Sequence, residues 1–298
     1  MKELTGRVAV VTGAASGIGL ALATAFAHQR MKLVLADIET PALERAESTL
    51  RSRGAEVIAV RVDVSQQQDV EQLASAAVEA FGAVHVVCNN AGVSLASRAP
   101  IWQATIGDWQ WMLNVNVWSV IHGVRTFVPL LLQQSEGHLV NTASIAGLIP
   151  ATLGIYSVTK HAVVAISEAV QLQLAASGAH VGVSVLCPGW VQSRITDAER
   201  NRPRQYLDGS EIGVDPAVAA AREALVANGT PPSFVADSVL DAIRTGRFYV
   251  LPHPEWFSLI QARTEHIQGG QPPSVPDLAS VQLPRPKLAT QEQVPLAH

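Results

Sequence analysis

The chain has 298 residues, 48% of them apolar and only 15% charged, and a net charge of −4, where an average soluble domain is about a quarter charged. With no basic cluster, nucleic acid is excluded as an expected partner, and so little charge on so long a chain points to extensive buried surface and an oligomer. No apolar run reaches membrane-spanning length, since Val115 to Leu132 is interrupted by Asn116, His122 and Arg125, and the polar start Met1-Lys2-Glu3 does not read as a signal peptide.

The elements alternate in type along the chain. A strand-like run at Arg7–Val11 leads through Thr12-Gly13-Ala14-Ala15-Ser16-Gly17-Ile18-Gly19 into an amphipathic stretch at 17–29. Strand-like runs follow at Lys32–Ala36, Glu56–Val62, Val84–Cys88, His138–Thr142, Val181–Leu186 and, more weakly, Arg247–Leu251. Helical periodicity fills the gaps at 41–53, 66–81, 106–133 and 156–177. Near-continuous Val, Leu and Ile in the strands, with helices between, predict a doubly wound α/β sandwich, Rossmann-type, on a mainly parallel sheet. Residues 1–267 read as a single domain. Within it 190–230, without strand pattern and broken by Pro203, Pro216, Pro231 and Pro232, read as a lid over a substrate. Residues 268–298, with six prolines, read as a C-terminal extension. Cys88 and Cys187 each end an apolar run without a Cys or His neighbour, which predicts buried free thiols in a reducing cytoplasm and no metal site.

The first strand, glycine cluster and helix together suit a pyrophosphate. Its oxygens need free backbone N–H groups at a helix N-terminus and no Cβ in the way. Gly13 permits the tight exit from the strand; Ser16, Gly17, Ile18 and Gly19 line the turn and let the helix close on the sheet. Asp37 ends the second strand about twenty residues on, where a carboxylate can accept from the adenosine ribose hydroxyls. A 2′-phosphate would be repelled there, and Ile38 and Glu39 supply no cation, so NAD is preferred over NADP. Asp63-Val64 is placed to contact the adenine edge, and Asp63 is equally a turn residue. Asn89-Asn90-Ala91-Gly92 ends the fourth strand, with small residues where a cofactor passes and amides able to tie strands together.

Ser144 lies twelve residues before Tyr156, and Tyr156-Ser-Val-Thr-Lys160 follows. With Thr12-Gly-x-x-x-Gly-x-Gly19, Asn89-Asn-Ala-Gly92, Asn116 and Pro188-Gly189, all in order, the chain resembles the short-chain dehydrogenase/reductase family over about residues 4–250. The resemblance implies one Rossmann-type domain of seven parallel strands, an NAD(P)-dependent oxidoreductase, and a dimer or tetramer. It implies Tyr156 as general acid/base, Lys160 as its electrostatic partner and a holder of the nicotinamide ribose, Ser144 bonded to the substrate oxygen, and Asn116 holding a water that links Lys160 to solvent. It also places Pro188, Gly189, Val191 and Ser193 beside the nicotinamide, with Ser193 where many members have threonine. The chemistry agrees: Lys160 is one helical turn from Tyr156 on the same face. A charge pair at about 4 Å and an effective dielectric of about 20 gives about 4 kcal/mol before desolvation, which lowers a tyrosine pKa by a few units. The spacing from Ser144 to Tyr156 is one residue shorter than the family often has, so the loop 146–154 is expected to differ in shape.

Substrate is expected to meet Ser94–Ser97, Ile145–Thr152 and Trp190–Tyr206. Leu95, Ile145, Leu148, Ile149, Trp190 and Tyr206 make that lining mainly apolar, without a paired arginine for a carboxylate or phosphate, which points to a small, neutral, hydrophobic secondary alcohol or its ketone. The segment Phe248–Glu255 and its extension resemble longer-tailed bacterial members, which include dehydrogenases of aryl carbinols. A non-catalytic dinucleotide-binding regulator, an epimerase and a dehydratase on the same scaffold are the alternatives. The helices at 106–133 and 156–177 carry apolar residues around much of their circumference, which predicts at least a homodimer and a tetramer through the region near Arg247–Leu251.

Overall fold

The segment Val8–Thr12 is buried along its whole length, as the middle of a parallel sheet requires. This strand, β1, pairs with β2 (Lys32–Asp37) on one side and β4 (Val86–Asn89) on the other, Val10 lying opposite both Val34 and Val87. The computed structural model describes residues 1–95, 100–149, 153–207, 209 and 216–274. Parts of the predicted substrate segments (96–97 and 150–152), of the lid, and of the proline-rich extension (275–298) lie outside them.

With β3 (Val57–Arg61), β5 (Gly137–Thr142), β6 (Val181–Leu186) and β7 (Tyr249–Val250), the sheet has seven strands in the order β3-β2-β1-β4-β5-β6-β7, every pair parallel. Successive side chains of a strand point to opposite faces, and β1 divides its residues accordingly. Ala9 and Val11 pack with α1 (Gly17–His28), α2 (Thr40–Ser52) and α8 (Pro232–Thr245). Val8 and Val10 pack with α3 (Gln67–Phe81), α5 (Ser119–Leu131) and α6 (Ile155–Ala176). The chain runs outward from β1 to β3 and then crosses back to β4. That reversal opens a crevice at the carboxyl ends of β1 and β4, where ligands bind in sheets of this kind.

Three departures from the sequence expectations matter for the site. The helix foreseen over 106–133 is α4 (Ile106–Leu113), a π-helical turn (Asn114–Trp118) and α5 in succession. Such turns insert a residue into the helix and recur at functional sites. The region after residue 190 holds more helix than the prolines suggested, α7 (Pro216–Ala227) and α8 before β7 and α9 (Phe257–Gln268) after it. Pro216 and Pro232 start helices instead of breaking them, because the first-turn N–H they lack has no intrahelical partner in any case. The last strand shrinks to Tyr249–Val250, paired with Val185 and Leu186.

Candidate active site

The crevice begins where β1 turns into α1. Gly13 has φ +64°, and a Cβ there would stand 2.9 Å from Ala91 Cα; a Cβ on Gly19 would stand 2.0 Å from Gly13 O. No other residue fits at either position. Ser16 occupies the N-cap of α1 without a side-chain hydrogen bond to the helix, so the first turn keeps its N–H groups for an anion. Asp37 is held by two backbone donors, Ala15 N–H to Oδ2 at 3.0 Å and Glu39 N–H to Oδ1 at 3.0 Å. Asp63 accepts from the amide and hydroxyl of Ser65 at 3.0 and 2.7 Å, which makes it a turn residue as well as a wall of the crevice. Asn90 joins three strands: its backbone N–H donates to Thr12 Oγ1, its Nδ2 to Thr12 O, and its Oδ1 accepts from Thr142 Oγ1.

A cavity of about 380 Å³ runs from this turn to Tyr156. Of the residues foreseen for the cofactor, Gly13, Ser16, Gly17, Ile18, Asp37, Asp63, Val64, Asn90, Ala91, Gly92, Pro188, Gly189, Val191 and Ser193 line it, as do Ser144, Tyr156 and Lys160. Gly19 lies behind the wall, where its bare Cα lets α1 approach the turn. The glycine cradle, the open helix N-terminus and the fixed Asp37 carboxylate together suit a dinucleotide.

Ser144 follows β5 in extended conformation and caps one 3-10 turn, Ile145–Gly147. Its Oγ accepts from Ala146 N–H at 3.2 Å and donates to Pro188 O at 3.4 Å. Tyr156 and Lys160 stand one turn apart on α6, the Lys160 ammonium 5.5 Å from the Tyr156 ring centre. Lys160 is 3% exposed and donates to Thr142 O at 3.0 Å. Burial lowers its pKa to about 8. Burial also raises the pKa of Tyr156, against a hydrogen bond with Ser144 and the positive charge of Arg222. Desolvation therefore works against the phenolate, and the sequence argument, which counted only the charge pair, overstates its ease of ionisation in the protein alone.

Asn116 sits in the π-helical turn and is 1% exposed. Its Oδ1 accepts from Val93 N–H at 2.8 Å, and its Nδ2 donates to Val93 O at 2.9 Å and to Thr159 Oγ1 at 3.1 Å. These contacts fix the loop after β4 to α6 and hold the Asn116 side chain in place.

The substrate residues divide. Ile145, Ile149, Trp190 and Tyr206 line the cavity. Leu148 does not: the 3-10 turn rotates it to the far side, where it packs with Val120, Val163 and Val185. Leu95 packs with Val93, Trp111 and Ile155 behind the wall. One charged side chain that sequence reasoning missed, Arg222 of α7, 8% exposed, also lines the mainly apolar cavity. Nothing around it in the sequence marks it, since it lies late in the lid segment, beyond the residues expected to meet substrate. Trp256 is a second residue that sequence reasoning missed. Its indole stands against Gly189 in the cavity wall, and its N–H has no hydrogen-bond partner among the described residues.

The segment over the cavity is fastened at two ends. Glu39 accepts from Arg200 Nε and Asn201 Nδ2, both at 3.0 Å, and from Arg194 at 3.4 Å. Arg200 above all holds its carboxyl below the usual range. At the other end the almost fully buried Arg202 pairs with Asp108 at 2.8 Å, and Asn114 Nδ2 donates to the Tyr206 hydroxyl at 2.9 Å.

Known proteins share this arrangement. The family model for short chain dehydrogenases matches residues 7–204. Over 282 residues the chain is 34% identical to a "CLA biosynthesis dehydrogenase/reductase" of Lactiplantibacillus plantarum, covering 92% of this chain and 98% of that protein. It is 37% identical over 225 residues to a 1-deoxy-11-beta-hydroxypentalenate dehydrogenase of Streptomyces exfoliatus, covering 75% and 81% of the two chains. Among solved structures, a short chain dehydrogenase/reductase from Burkholderia phymatum in complex with NAD superposes with a TM-score of 0.89 at 44% identity, over 93% of this chain and 99% of that one. A likeness that runs the length of both chains and takes in the dinucleotide crevice leaves one reading of the lineage: the chain belongs to the short-chain dehydrogenase family of nicotinamide-dinucleotide oxidoreductases.

Proposed function

We propose that the protein is an NAD-dependent dehydrogenase that interconverts a hydrophobic secondary alcohol and its ketone, with Tyr156 as the general acid/base. The observation that carries this is the meeting of Ser144, Tyr156 and Lys160 on one cavity wall with the dinucleotide cradle at its other end. A bound nicotinamide dinucleotide would accept or return the hydride. The protein's part is the proton and the position. Ser144 holds the substrate oxygen beside the Tyr156 hydroxyl; Tyr156 takes the carbinol proton in oxidation and gives it back in reduction. The Lys160 charge offsets part of the cost of a buried phenolate. Asn116 keeps the wall rigid through Val93 and Thr159. A regulator that only bound dinucleotide would have no use for this set.

Asp37 supports NAD over NADP, because its carboxylate is fixed where a 2′-phosphate would stand. Arg194 and Arg200 line the same end, but Glu39 already engages both. The relative from Streptomyces exfoliatus is named for a hydroxylated substrate, in keeping with oxidation at a carbinol. Residues 1–267 act in this reading as one domain, with 190–230 as its lid, and the assembly is a homodimer or homotetramer in the cytoplasm. The test is a panel of hydrophobic secondary alcohols with NAD⁺ and with NADP⁺, followed at the absorbance of the reduced cofactor. Turnover with at least about a tenfold higher kcat/KM for NAD is expected, a difference of about 1.4 kcal/mol. A tenfold preference for NADP contradicts the role of Asp37, and a panel without turnover contradicts the activity.

A further inference from the structure

We infer that Glu39 is a second determinant of the choice between NAD and NADP, and that it acts by withholding two arginines of the lid from a 2′-phosphate. The inference rests on the NAD preference proposed above and adds to Asp37 a residue that works through others. Glu39 stands at the N-cap of α2, yet its carboxylate makes no hydrogen bond to its own helix. An acceptor at that position ordinarily takes an N–H of the first turn. This one is turned instead towards the 3-10 turn Ile195–Asn201 and the residue before it. Oε1 accepts from Arg200 Nε and Asn201 Nδ2 at 3.0 Å each, and from a terminal nitrogen of Arg200; Oε2 accepts from Arg194 at 3.4 Å. Asp197 pairs with the same two arginines, at 2.7 Å to Arg194 and 3.6 Å to Arg200. Two guanidiniums thus face two carboxylates, and the cluster has no net charge. The backbone N–H of Glu39 meanwhile donates to Asp37 Oδ1, so one residue fixes both the ribose carboxylate and the cations of the lid.

A guanidinium fork is the group that accommodates a 2′-phosphate in dinucleotide sites, through charge and two parallel hydrogen bonds. Arg194 and Arg200 line the cavity together with Asp37 and Glu39, so the means of holding such a phosphate stand at the adenosine end. Asp37 repels the phosphate directly. Glu39 acts on the arginines. A phosphate that recruited Arg200 would have to break its forked contact with Glu39, and would leave that carboxylate facing both Asp37 and the phosphate. Neutralising Glu39 removes this competition. The cluster then holds one positive charge in excess, and the two guanidiniums can turn to an incoming anion.

The experiment titrates the full-length protein with NADH and with NADPH, which differ only in the 2′-phosphate, and reads binding from the fluorescence of the reduced nicotinamide, without turnover. The wild type should bind NADH more tightly. Glu39→Gln keeps the shape of the side chain and removes its charge. It should still bind NADH, and should shift the ratio of the two dissociation constants towards NADPH by roughly tenfold or more, as for one charge-assisted hydrogen bond gained by the phosphate. Glu39→Asp keeps the charge and should keep most of the wild-type ratio. Adding Arg194→Met and Arg200→Met to Glu39→Gln should return the ratio towards the wild-type value. An unchanged ratio in Glu39→Gln overturns the inference. So does a full shift that survives removal of both arginines, which would make the charge of Glu39 itself the cause. Loss of NADH binding in Glu39→Gln also overturns it, since Glu39 would then support the adenosine end as a whole. A wild type that binds NADPH more tightly contradicts the NAD preference and this inference with it, a result distinct from an unchanged ratio in the variant.

Discussion

Tyr156 and Lys160 respond to burial in opposite directions. The lysine loses its proton as pH passes about 8, while burial holds the proton on the tyrosine. Tyr156 must be deprotonated to act as a base, so kcat/KM for alcohol oxidation should rise with pH. Lys160→Met removes the positive charge that Lys160 carries below about pH 8, so it should lower oxidation most in that range and move the rise to higher pH by about one unit, equivalent to roughly 1.4 kcal/mol, besides weakening cofactor binding. A variant profile that coincides with the wild type would show that the lysine charge does not reach the base. This pair was legible in the sequence because i and i+4 on a helix fix its geometry. Gly13, Gly17 and Asp37 were legible because a phosphate and a ribose demand them at fixed distances from a strand end. Arg222 and Trp256 were not, since each reaches the cavity only through the tertiary path of a segment without strand periodicity. Leu148 was misplaced because one 3-10 turn, invisible in composition, turns it away from the cavity and leaves its neighbour Ile149 there.

Strands β5 and β6 show how a buried titratable group links an element to pH. His138 on β5 is 2% exposed, and its Nε2 lies 2.8 Å from Ser184 Oγ on β6. The Ser184 hydroxyl donates to Arg247 O at 2.6 Å, so it accepts from His138 Nε2–H. Burial pushes the His138 pKa down from 6.5 to about 3. With the folded value below the unfolded one, the unfolded chain takes up the extra proton between the two. The stabilisation is therefore full above about 6.5 and is lost as pH falls towards 3. Each unit of that descent costs about 1.4 kcal/mol, or about 2 kcal/mol by pH 5 from this residue alone. Urea unfolding at pH 7 and pH 5 should show the loss, and His138→Gln should lessen the difference by about that amount. An unchanged difference in the variant would show that His138 does not supply the proton uptake. The helices beyond residue 190 were hidden for a different reason, since Pro216 and Pro232 read as breakers and serve as helix starts. The π-helical turn at Asn114–Trp118 has no compositional signature, although it places Asn116 on Val93.

The whole molecule carries more apolar surface than its own core covers. Trp118 on the π-helical turn and Val158 and Leu172 on α6 are exposed in the single chain, as is Tyr249 of β7. A helix covering a sheet needs one apolar stripe, and the second calls for a partner. Light scattering at micromolar concentration should therefore give a mass of at least twice 31.6 kDa; a monomer would leave those side chains without an account. The proposed function rests on one crevice that joins a dinucleotide cradle to Tyr156 as base. Comparing wild type with Tyr156→Phe tests it most directly, with reduced-cofactor formation and NAD binding measured on the same preparations. The account predicts that the variant binds NAD within a few-fold of wild type and turns over the alcohol at under a hundredth of its rate, a loss of about 2.7 kcal/mol or more in the transition state. Retention of more than a tenth of the wild-type rate would contradict it.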